Sequence, residues 1–287
     1  MSGSAKLEAA AQAAAKDTGI NLTTQDANSD TSKMIQYIES SVTAGEDAII
    51  INMVDPETAA QCIEAAGDVP VVFVNRFPGD PSVLNEKAVY VGSDEMTSGA
   101  FQGEFLAKFF KDQGKTDISY LMLNGILGQT STTNRTASVL KALEDNGIKA
   151  TAAAAPLAAD YDRATAMDMI SPLLKTTKYD CIISNNDAMA LGAVEAMQQQ
   201  GLDPKSVPIV GIDATADGRQ AIKDGTLAMT VFQNAEGQGR ASLQAAANLI
   251  DGKPIAEGTG YEVDDENEFI IWVPFEPVTI DNVADYD

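Results

Sequence analysis

The sequence of 287 residues contains no histidine. Without an imidazole, the chain cannot form a Ser-His-Asp or Cys-His catalytic site, a histidine-ligated metal site or a histidine pH switch. The GxxxxGK[ST], GxSxG and HExxH motifs are also missing, and no GxGxxG follows a predicted strand. Phosphate cradling and hydrolase chemistry therefore have no signature in this sequence.

Cysteines, basic residues and long apolar runs are scarce as well. Cys62 and Cys181 lie in apolar patterns without CxxC spacing, and we interpret both as buried structural residues. Nineteen Lys and Arg against 42 Asp and Glu give a formal net charge of −23, which repels phosphate backbones, so nucleic acid is not an expected partner. No uninterrupted apolar run approaches the ~20 residues of a membrane-spanning helix.

Short β-branched runs alternate with amphipathic helical patterns along the chain, which is typical of parallel sheets covered by helices. At roughly 150 residues per domain the length indicates two domains, so we predict an α/β protein with two doubly wound parallel-sheet lobes. The predicted strands are 20–24, 48–52, 70–75, 88–92, 118–123, 179–184, 208–213 and 227–232, followed by a strand pair, 268–273 and 276–280. The predicted helices are 5–16, 31–44, 56–66, 94–111, 132–146, 163–175, 188–200, 216–223 and 235–250.

The first predicted element is a helix, although a doubly wound lobe normally begins with a strand. The opening residues MSGSAKLEAAAQAAAK also lack the basic-then-apolar order of a signal peptide. We therefore expect that the first strand of the N-terminal lobe, and a signal peptide, lie upstream of this sequence.

Amides and carboxylates end several predicted strands. Asn75, Asn186 and Asp213 follow three different strands, and ligands of open α/β sheets bind outside the carboxyl ends of the strands. Such side chains hydrogen-bond to vicinal hydroxyls without supplying a nucleophile, so this set predicts sugar recognition. Asp55 and Asp187 each stand directly before a predicted helix, and we interpret both as helix caps.

Three further residues have alternative interpretations. Arg135, at the start of the helical pattern after GILGQTSTT, is either a solvated helix residue or a planar donor fork for a ligand. Tyr161, in a loop before a helix, either stacks on a pyranose or covers a lobe edge. The alternating strand pattern around Trp272 favours a packing role.

Six segments, in order and at compatible spacing, resemble the periplasmic galactose/glucose-binding protein family, the type I sugar receptors of ABC importers. They are INMVDPETA, VPVVFVNR, YVGSD, SNNDAMALGAVEAM, IVGIDATADG and LAMTVFQNAEGQ. The resemblance covers nearly the whole chain and implies two α/β lobes, joined by three hinge strands, that close on one sugar. It places the N-terminal lobe at 1–92 plus 235–273, the C-terminal lobe at 93–233 plus 275–287, and the hinges near 92–94, 231–234 and 272–275.

The resemblance also implies a set of ligand-binding residues. Four match family residues that hydrogen-bond the sugar: Asn75, Arg135, Asn186 and Asp213. Tyr161 stands where the family has a stacking tryptophan and Gln233 where it has an asparagine, while Gln129 and Ser131 replace a histidine and an aspartate. The calcium loop of the enteric members has no counterpart in KDQGKTDISY, so neither calcium nor another metal or cofactor is expected.

The function implied by the resemblance is that of a monomeric, non-enzymatic receptor, periplasmic or anchored outside the cell by a lipid. It would bind a monosaccharide, glucose or galactose foremost, and deliver it to ABC permease subunits, with a chemoreceptor as a second candidate partner. The alternative is the effector-binding core of a sugar-responsive transcription repressor, which would need a helix-turn-helix region that does not precede Ala5. An α/β enzyme acting on sugars is disfavoured because the candidate residues include no activated nucleophile.

Overall fold

The computed structural model describes residues 3–287, which form two compact α/β units. Unit 1 contains the chain up to Ser93 together with Asn234–Pro274, and unit 2 contains Asp94–Gln233 with Phe275–Asp287. The chain therefore passes from one unit to the other three times. None of the helices within residues 3–287 combines the length and the apolar character of a membrane-spanning segment.

Helices and strands alternate through most of the described chain. The helices are α1 (Gly3–Thr18), α2 (Thr31–Thr43), α3 (Ala59–Ala66), α4 (Glu95–Lys111), α5 (Thr130–Asp145), α6 (Arg163–Ile170), α7 (Asp187–Gln199), α8 (Ala216–Asp224) and α9 (Ala235–Asp251). The strands are β1 (Ile49–Ile51), β2 (Val71–Val74), β3 (Ala88–Gly92), β4 (Asp117–Asn124), β5 (Lys149–Ala152), β6 (Leu157–Ala158), β7 (Cys181–Ser184), β8 (Ile209–Val210), β9 (Thr230–Phe232), β10 (Glu262–Val263), β11 (Ile270–Trp272) and β12 (Glu276–Val278). Short 3-10 helices occupy Pro56–Thr58, Pro81–Val83, Ser171–Leu173, Pro204–Ser206 and Val283–Tyr286.

The sheet of unit 1 has the strand order β1-β2-β3-β11-β10, parallel throughout except for the antiparallel β10. Strand β2 is buried along its whole length, as a sheet covered on both faces requires. Its residues alternate between two cores: Phe73 packs in the core that includes Met34 of α2 and Cys62 of α3, whereas Val72 packs in the core that includes Ala241 of α9.

The sheet of unit 2 has the order β5-β4-β7-β8, with β6 also paired to β4, and all of its pairs are parallel. Strands β9 and β12 form a separate antiparallel pair, and a single bridge between Val210 and Met229 links β8 to the residue that precedes β9. One core packs this sheet against α4 and α5 and another packs it against α6, α7 and α8. The predicted fold class, α/β with parallel sheets in two lobes, is confirmed.

One predicted strand and one predicted strand pairing are wrong. Residues 20–24 form no strand: no described strand pairs with this segment, and an extended segment without a partner leaves its backbone groups unpaired. Strands form within 268–273 and 276–280, as predicted, but they do not pair with each other. Strand β11 pairs with β3 and β10 in unit 1, whereas β12 pairs with β9 in unit 2.

Helices α4 and α5 approach each other closely because small residues line their contact. A Cβ added to Gly103 of α4 would lie 2.7 Å from the carbonyl oxygen of Val139 and 2.5 Å from the Cβ of Ala142, both on α5. These distances are shorter than van der Waals contact, so even a methyl group would push the two helices apart. Glycine at position 103 is therefore a packing requirement of unit 2.

We expect Gly103→Ala to lower the free energy of unfolding by up to about 2 kcal/mol, because overpacking costs about 1–3 kcal/mol and the better helix propensity of alanine returns only about 1. Gly3→Ala is the control, since a Cβ there meets open space. Urea unfolding of both variants measures the difference. Equal stability of the two variants would contradict the close packing of α4 and α5.

Candidate functional site

The candidate site of unit 2 lies at the carboxyl ends of its parallel strands. Asn185 and Asn186 follow β7, and Asp213 lies three residues after the end of β8. Arg135 lies on α5, the helix that follows β4. Because the strands are parallel, these strand ends meet at one edge of the sheet. The structure therefore brings three of the predicted ligand residues, Arg135, Asn186 and Asp213, to one edge.

Arg135 is the centre of this group and is only 8% exposed. Its Nε donates to Oε2 of Glu95 at 3.2 Å, and its Nη1 donates to the carbonyl oxygen of Asn185 at 2.9 Å and to Oδ1 of Asp213 at 3.4 Å. Nη2 has no hydrogen-bond partner within residues 3–287, so its two N–H groups can donate to a ligand. The structure thus favours a positioned donor fork over a solvated helix arginine.

The charges of this group shift one another's protonation. Burial alone would lower the pKa of Arg135, but the carboxylates of Asp213 and Glu95 hold it above its ordinary value. Partial desolvation raises the pKa of Asp213 to about 6. The charge of Arg135 opposes this shift, and the charge of Glu95 adds to it. Water still reaches 38% of the Asp213 side chain and screens its charge, so this shift carries little weight for folding stability.

Tyr161 connects two other predicted residues. Its hydroxyl hydrogen-bonds with Oγ of Ser131 at 2.8 Å and with Oγ1 of Thr132 at 2.9 Å, and its carbonyl oxygen accepts from Nδ2 of Asn186 at 3.4 Å. The tyrosine ring lies directly on the backbone of Gly125, where any Cβ would overlap it. These contacts fix the ring beside the start of α5.

Three predicted ligand residues have an unusual backbone conformation. Asn75, Tyr161 and Asp213 have φ values of +70°, +63° and +119°, in the left-handed region that favours glycine. Such conformations cost of order 1–3 kcal/mol each and persist where surrounding contacts impose them, often at functional sites. The strain at these three positions is therefore an independent indication that the strand ends carry function.

Asn75 belongs to unit 1, where it follows β2. Its N–H donates to the carbonyl oxygen of Val91, its carbonyl oxygen accepts from the Tyr90 hydroxyl at 2.7 Å, and its Nδ2 lies 3.5 Å from Oδ1 of Asn52. Nearby, the Trp272 ring stacks on Phe77, with ring centroids 5.7 Å apart. This contact is the packing role predicted for Trp272.

The remaining two predicted residues are less constrained. Gln129 is exposed and precedes α5 without a side-chain cap hydrogen bond, and Gln233 is half-buried at the end of a segment of unit 2. In the described part of the chain, neither side chain hydrogen-bonds to another predicted ligand residue. Their ligand role stays a prediction.

One of the two predicted helix caps is confirmed and the other is wrong. Asp55 does cap a 3-10 helix, since its Oδ1 accepts from the N–H of Glu57. At α7, however, the cap is Asn186, whose Oδ1 accepts from the N–H of Met189. Asp187 is the first helical residue, and its buried carboxylate instead accepts hydrogen bonds from Thr215 and Thr230.

Two contributors to this site, Glu95 and Asn185, are not among the predicted ligand residues. Glu95, the first residue of α4, gave no signal because acidic residues are common in the first turn of any helix. Asn185 was visible as a strand-end amide, and the structure shows that its Oδ1 accepts from the N–H of Gly125 at 3.0 Å. Both residues accept hydrogen bonds from Arg135, which lies at least 40 positions away in sequence, and no local pattern reveals such a contact.

The chemistry available to this site is hydrogen bonding. Guanidinium, carboxylate and amide groups suit vicinal hydroxyls, whereas burial raises the pKa of both Cys62 and Cys181 and keeps these thiols unreactive. No group of three or more acidic or cysteine side chains within residues 3–287 is placed to hold a metal ion.

The pKa of Asp187 gives a testable pH dependence. Burial raises this pKa to about 7, the charge of Asp213 adds to the shift, and hydrogen bonds from Thr230 and Thr215 oppose it. The native state therefore keeps a proton that the unfolded chain releases between pH ~4 and ~7, and this contribution to stability falls as the pH rises through that window. We expect the free energy of unfolding of the wild type minus that of Asp187→Asn to fall by at most about 1.4 kcal/mol per pH unit.

Urea unfolding at several pH values measures this difference, and the carboxylates that do not interact with Asp187 are common to both proteins and cancel. A difference that stays constant between pH 4 and 7, or rises, would contradict the upward shift.

Comparisons with known proteins agree with this fold. Residues 4–254 match the model of the periplasmic binding protein domain family. The chain is 35% identical over 283 residues to the D-galactose/methyl-galactoside binding periplasmic protein of Haemophilus influenzae. It is 33% identical over 271 residues to a protein of Rhizobium meliloti named for rhizopine binding. Each match covers 93% of this chain and 82% of the relative. A Bacillus halodurans ABC transporter solute binding protein with bound myo-inositol has the same fold, with a TM-score of 0.73 and 29% identity over 99% of this chain and 92% of that one. With its two α/β units and its polar strand ends, the chain belongs to the periplasmic binding protein domain family, among the sugar-binding proteins of ABC transporters.

Proposed function

We propose that this chain is the receptor subunit of an ABC sugar importer, which binds one monosaccharide, D-glucose or D-galactose foremost, and delivers it to a membrane permease. The observation that carries the proposal is the group at the strand ends of unit 2: the donor fork of Arg135, the carboxylate of Asp213 and the amide of Asn186. Relatives named for galactose and rhizopine, and a structure with myo-inositol, support a small ligand rich in hydroxyls.

The proposed ligand-binding residues are Asn75 of unit 1 and, in unit 2, Gln129, Ser131, Arg135, Tyr161, Asn186, Asp213 and Gln233. Selectivity comes from directed hydrogen bonds, since an epimer that leaves a buried polar group unpaired loses about 1–3 kcal/mol. Ser131 provides a neutral hydroxyl where the family has an aspartate. Because charge-assisted hydrogen bonds are about twice as strong as neutral ones, Ser131 hydrogen-bonds the sugar more weakly than an aspartate at this position.

Delivery requires a change that the permease can recognise. We place the hinges near 92–94, 231–234 and 272–275, between lobes at 1–92 plus 235–273 and 93–233 plus 275–287. The passages of the chain between the two compact units, at Ser93–Asp94, Gln233–Asn234 and Pro274–Phe275, support these bounds. A sugar that contacts both lobes stabilises a closed form, because binding shifts the population toward the conformation it fits best.

The proposed receptor is a periplasmic or lipid-anchored monomer without enzymatic activity. A chemoreceptor is a second candidate partner that binds its closed form. The buried, unreactive thiols and the lack of histidine support a binding role over catalysis. The net charge of −23 disfavours the alternative role in a DNA-binding repressor.

The first test is ligand binding by wild type and by Asp213→Asn. A sugar at 100 times its dissociation constant should add about 2.7 kcal/mol of stability, so a thermal melt with D-glucose or D-galactose should shift upward. Asp213→Asn should weaken binding about tenfold or more, because it removes a charge-assisted hydrogen bond. Asp217→Asn, an equal charge change on the exposed surface of α8, is the control and should bind like the wild type.

Calorimetric titration gives the dissociation constants of all three proteins. A wild type that neither binds nor is stabilised by D-glucose, D-galactose, D-ribose, L-arabinose or D-xylose would refute the proposal. Equal affinities of Asp213→Asn and Asp217→Asn would remove Asp213 from the site.

Hinge closure predicts a more compact protein when the sugar is bound. The radius of gyration from small-angle X-ray scattering should fall with a saturating sugar that binds in the calorimeter. At a sugar concentration equal to the wild-type dissociation constant, Asp213→Asn should show less of this change than the wild type, because a smaller fraction of the variant has sugar bound. A wild type that binds the sugar with an unchanged radius of gyration would contradict the closure.

A further inference from the structure

Asp187 has an acidic side chain that is completely buried in unit 2. Both carboxylate oxygens have protein donors: Oδ1 accepts from the hydroxyl of Thr230 at 2.6 Å, and Oδ2 accepts from the N–H of Thr215 at 2.9 Å and from its hydroxyl at 3.3 Å. Glycines at 211 and 218 leave room for the two oxygens, since a Cβ at either position would overlap one of them. The carboxylate is thus enclosed by a cradle that leaves no space for a ligand.

The partners of Asp187 surround one turn of the chain, residues 212–215. The N–H of Asp187 donates to the carbonyl oxygen of Ile212 at 2.8 Å. Thr215, at the other end of the turn, donates to its carboxylate. The Thr230 hydroxyl donates to Asp187 and at the same time accepts from the N–H of Ala214 at 3.1 Å. Asp187 therefore fixes the turn at both ends and, through Thr230, in the middle.

This turn contains the strained backbone of the candidate site. Asp213 and Ala214 have φ values of +119° and +49°, and two consecutive residues in this region are costly without compensating contacts. The conformation directs Oδ1 of Asp213 to within 3.4 Å of Arg135. A relaxed turn would move this carboxylate away from the guanidinium.

We propose that Asp187 is a positioning residue: its buried carboxylate, acting through Thr215 and Thr230, holds the turn 212–215 in the strained conformation that places Asp213 for the ligand. This inference rests on the proposed sugar-binding function. Asp187 itself does not touch the sugar. It fixes the backbone that carries a residue that does.

The test separates positioning from general stabilisation by changing Thr230. Thr230→Val keeps the shape of the side chain but removes the hydroxyl, whereas Thr230→Ser keeps the hydroxyl and is the rescue variant. In the ligand-free protein, we expect hydrogen exchange of the Ala214 amide to become about tenfold faster in Thr230→Val, as the loss of one hydrogen bond implies. Exchange of the Asn185 amide, which donates to the carbonyl oxygen of Leu123, should change less.

Sugar affinity is the second readout. At a temperature where all proteins are folded, the dissociation constant for D-galactose or D-glucose should rise about tenfold in Thr230→Val and return toward the wild-type value in Thr230→Ser. Asp187→Ala should weaken binding at least as much, because it removes both oxygen atoms that accept from Thr215 and Thr230. If the variants melt at a lower temperature but keep the wild-type dissociation constant, Asp187 is only structural and the proposal is overturned.

Failure of the sugar-binding proposal would give different results from failure of the positioning proposal. In that case the wild type would bind no monosaccharide, and the exchange experiment on the ligand-free protein would still decide whether Thr230 and Asp187 hold the turn. Unchanged exchange at Ala214 in Thr230→Val would overturn the positioning role independently of any ligand.

Discussion

The pairing of a buried guanidinium, Arg135, is the interaction on which the candidate site depends. A charge removed from water must be paired and hydrogen-bonded, since an uncompensated one is strongly destabilising. Arg135 meets this requirement with Glu95 from the start of α4, the Asn185 carbonyl at the end of β7 and Asp213 beyond β8. Three separate chain segments therefore meet at one point, and their positions are fixed by the same cation.

The backbone strain that positions Asp213 is offset by hydrogen bonds from other residues. Its carboxylate reaches Arg135 only because the chain turns through two residues with positive φ. Thr230 and Thr215, anchored on the buried Asp187, support this turn. In the proposed receptor, an Asp213 held in place in this way is a rigid binding group, and rigidity before binding reduces the entropy lost on binding. A receptor that selects among sugar epimers benefits from this arrangement because its hydrogen-bond directions are set in advance.

The sequence predicted the architecture well where the pattern of burial is local. Strands β2, β3 and β7 are short apolar runs buried along their whole length, and the helices between them carry apolar stripes. The prediction failed at 20–24, where a suitable pattern has no neighbour to pair with. It also missed β5 and β6, whose sequences KATA and LA are too alanine-rich to read as strands.

For the site, the sequence identified residue types at strand ends but not their connections. Arg135 and Asp213 were expected at the ligand from the family resemblance, and the structure places them in contact. Asp187 was misinterpreted as a helix cap because the preceding residue, Asn186, is an equally good cap and only the structure shows which one is used. The partners Thr215 and Thr230 lie 28 and 43 positions away, so the cradle of Asp187 could not be read from the sequence.

The central claim is that a monosaccharide binds at the strand ends around Arg135. The most direct measurement is a nuclear magnetic resonance titration with D-galactose or D-glucose that follows the Nε–H signal of Arg135 and the backbone amides of Asn186 and Asp213. The account predicts that these three signals move together and saturate with the same dissociation constant. A sugar that binds the protein and leaves all three signals unmoved would contradict it.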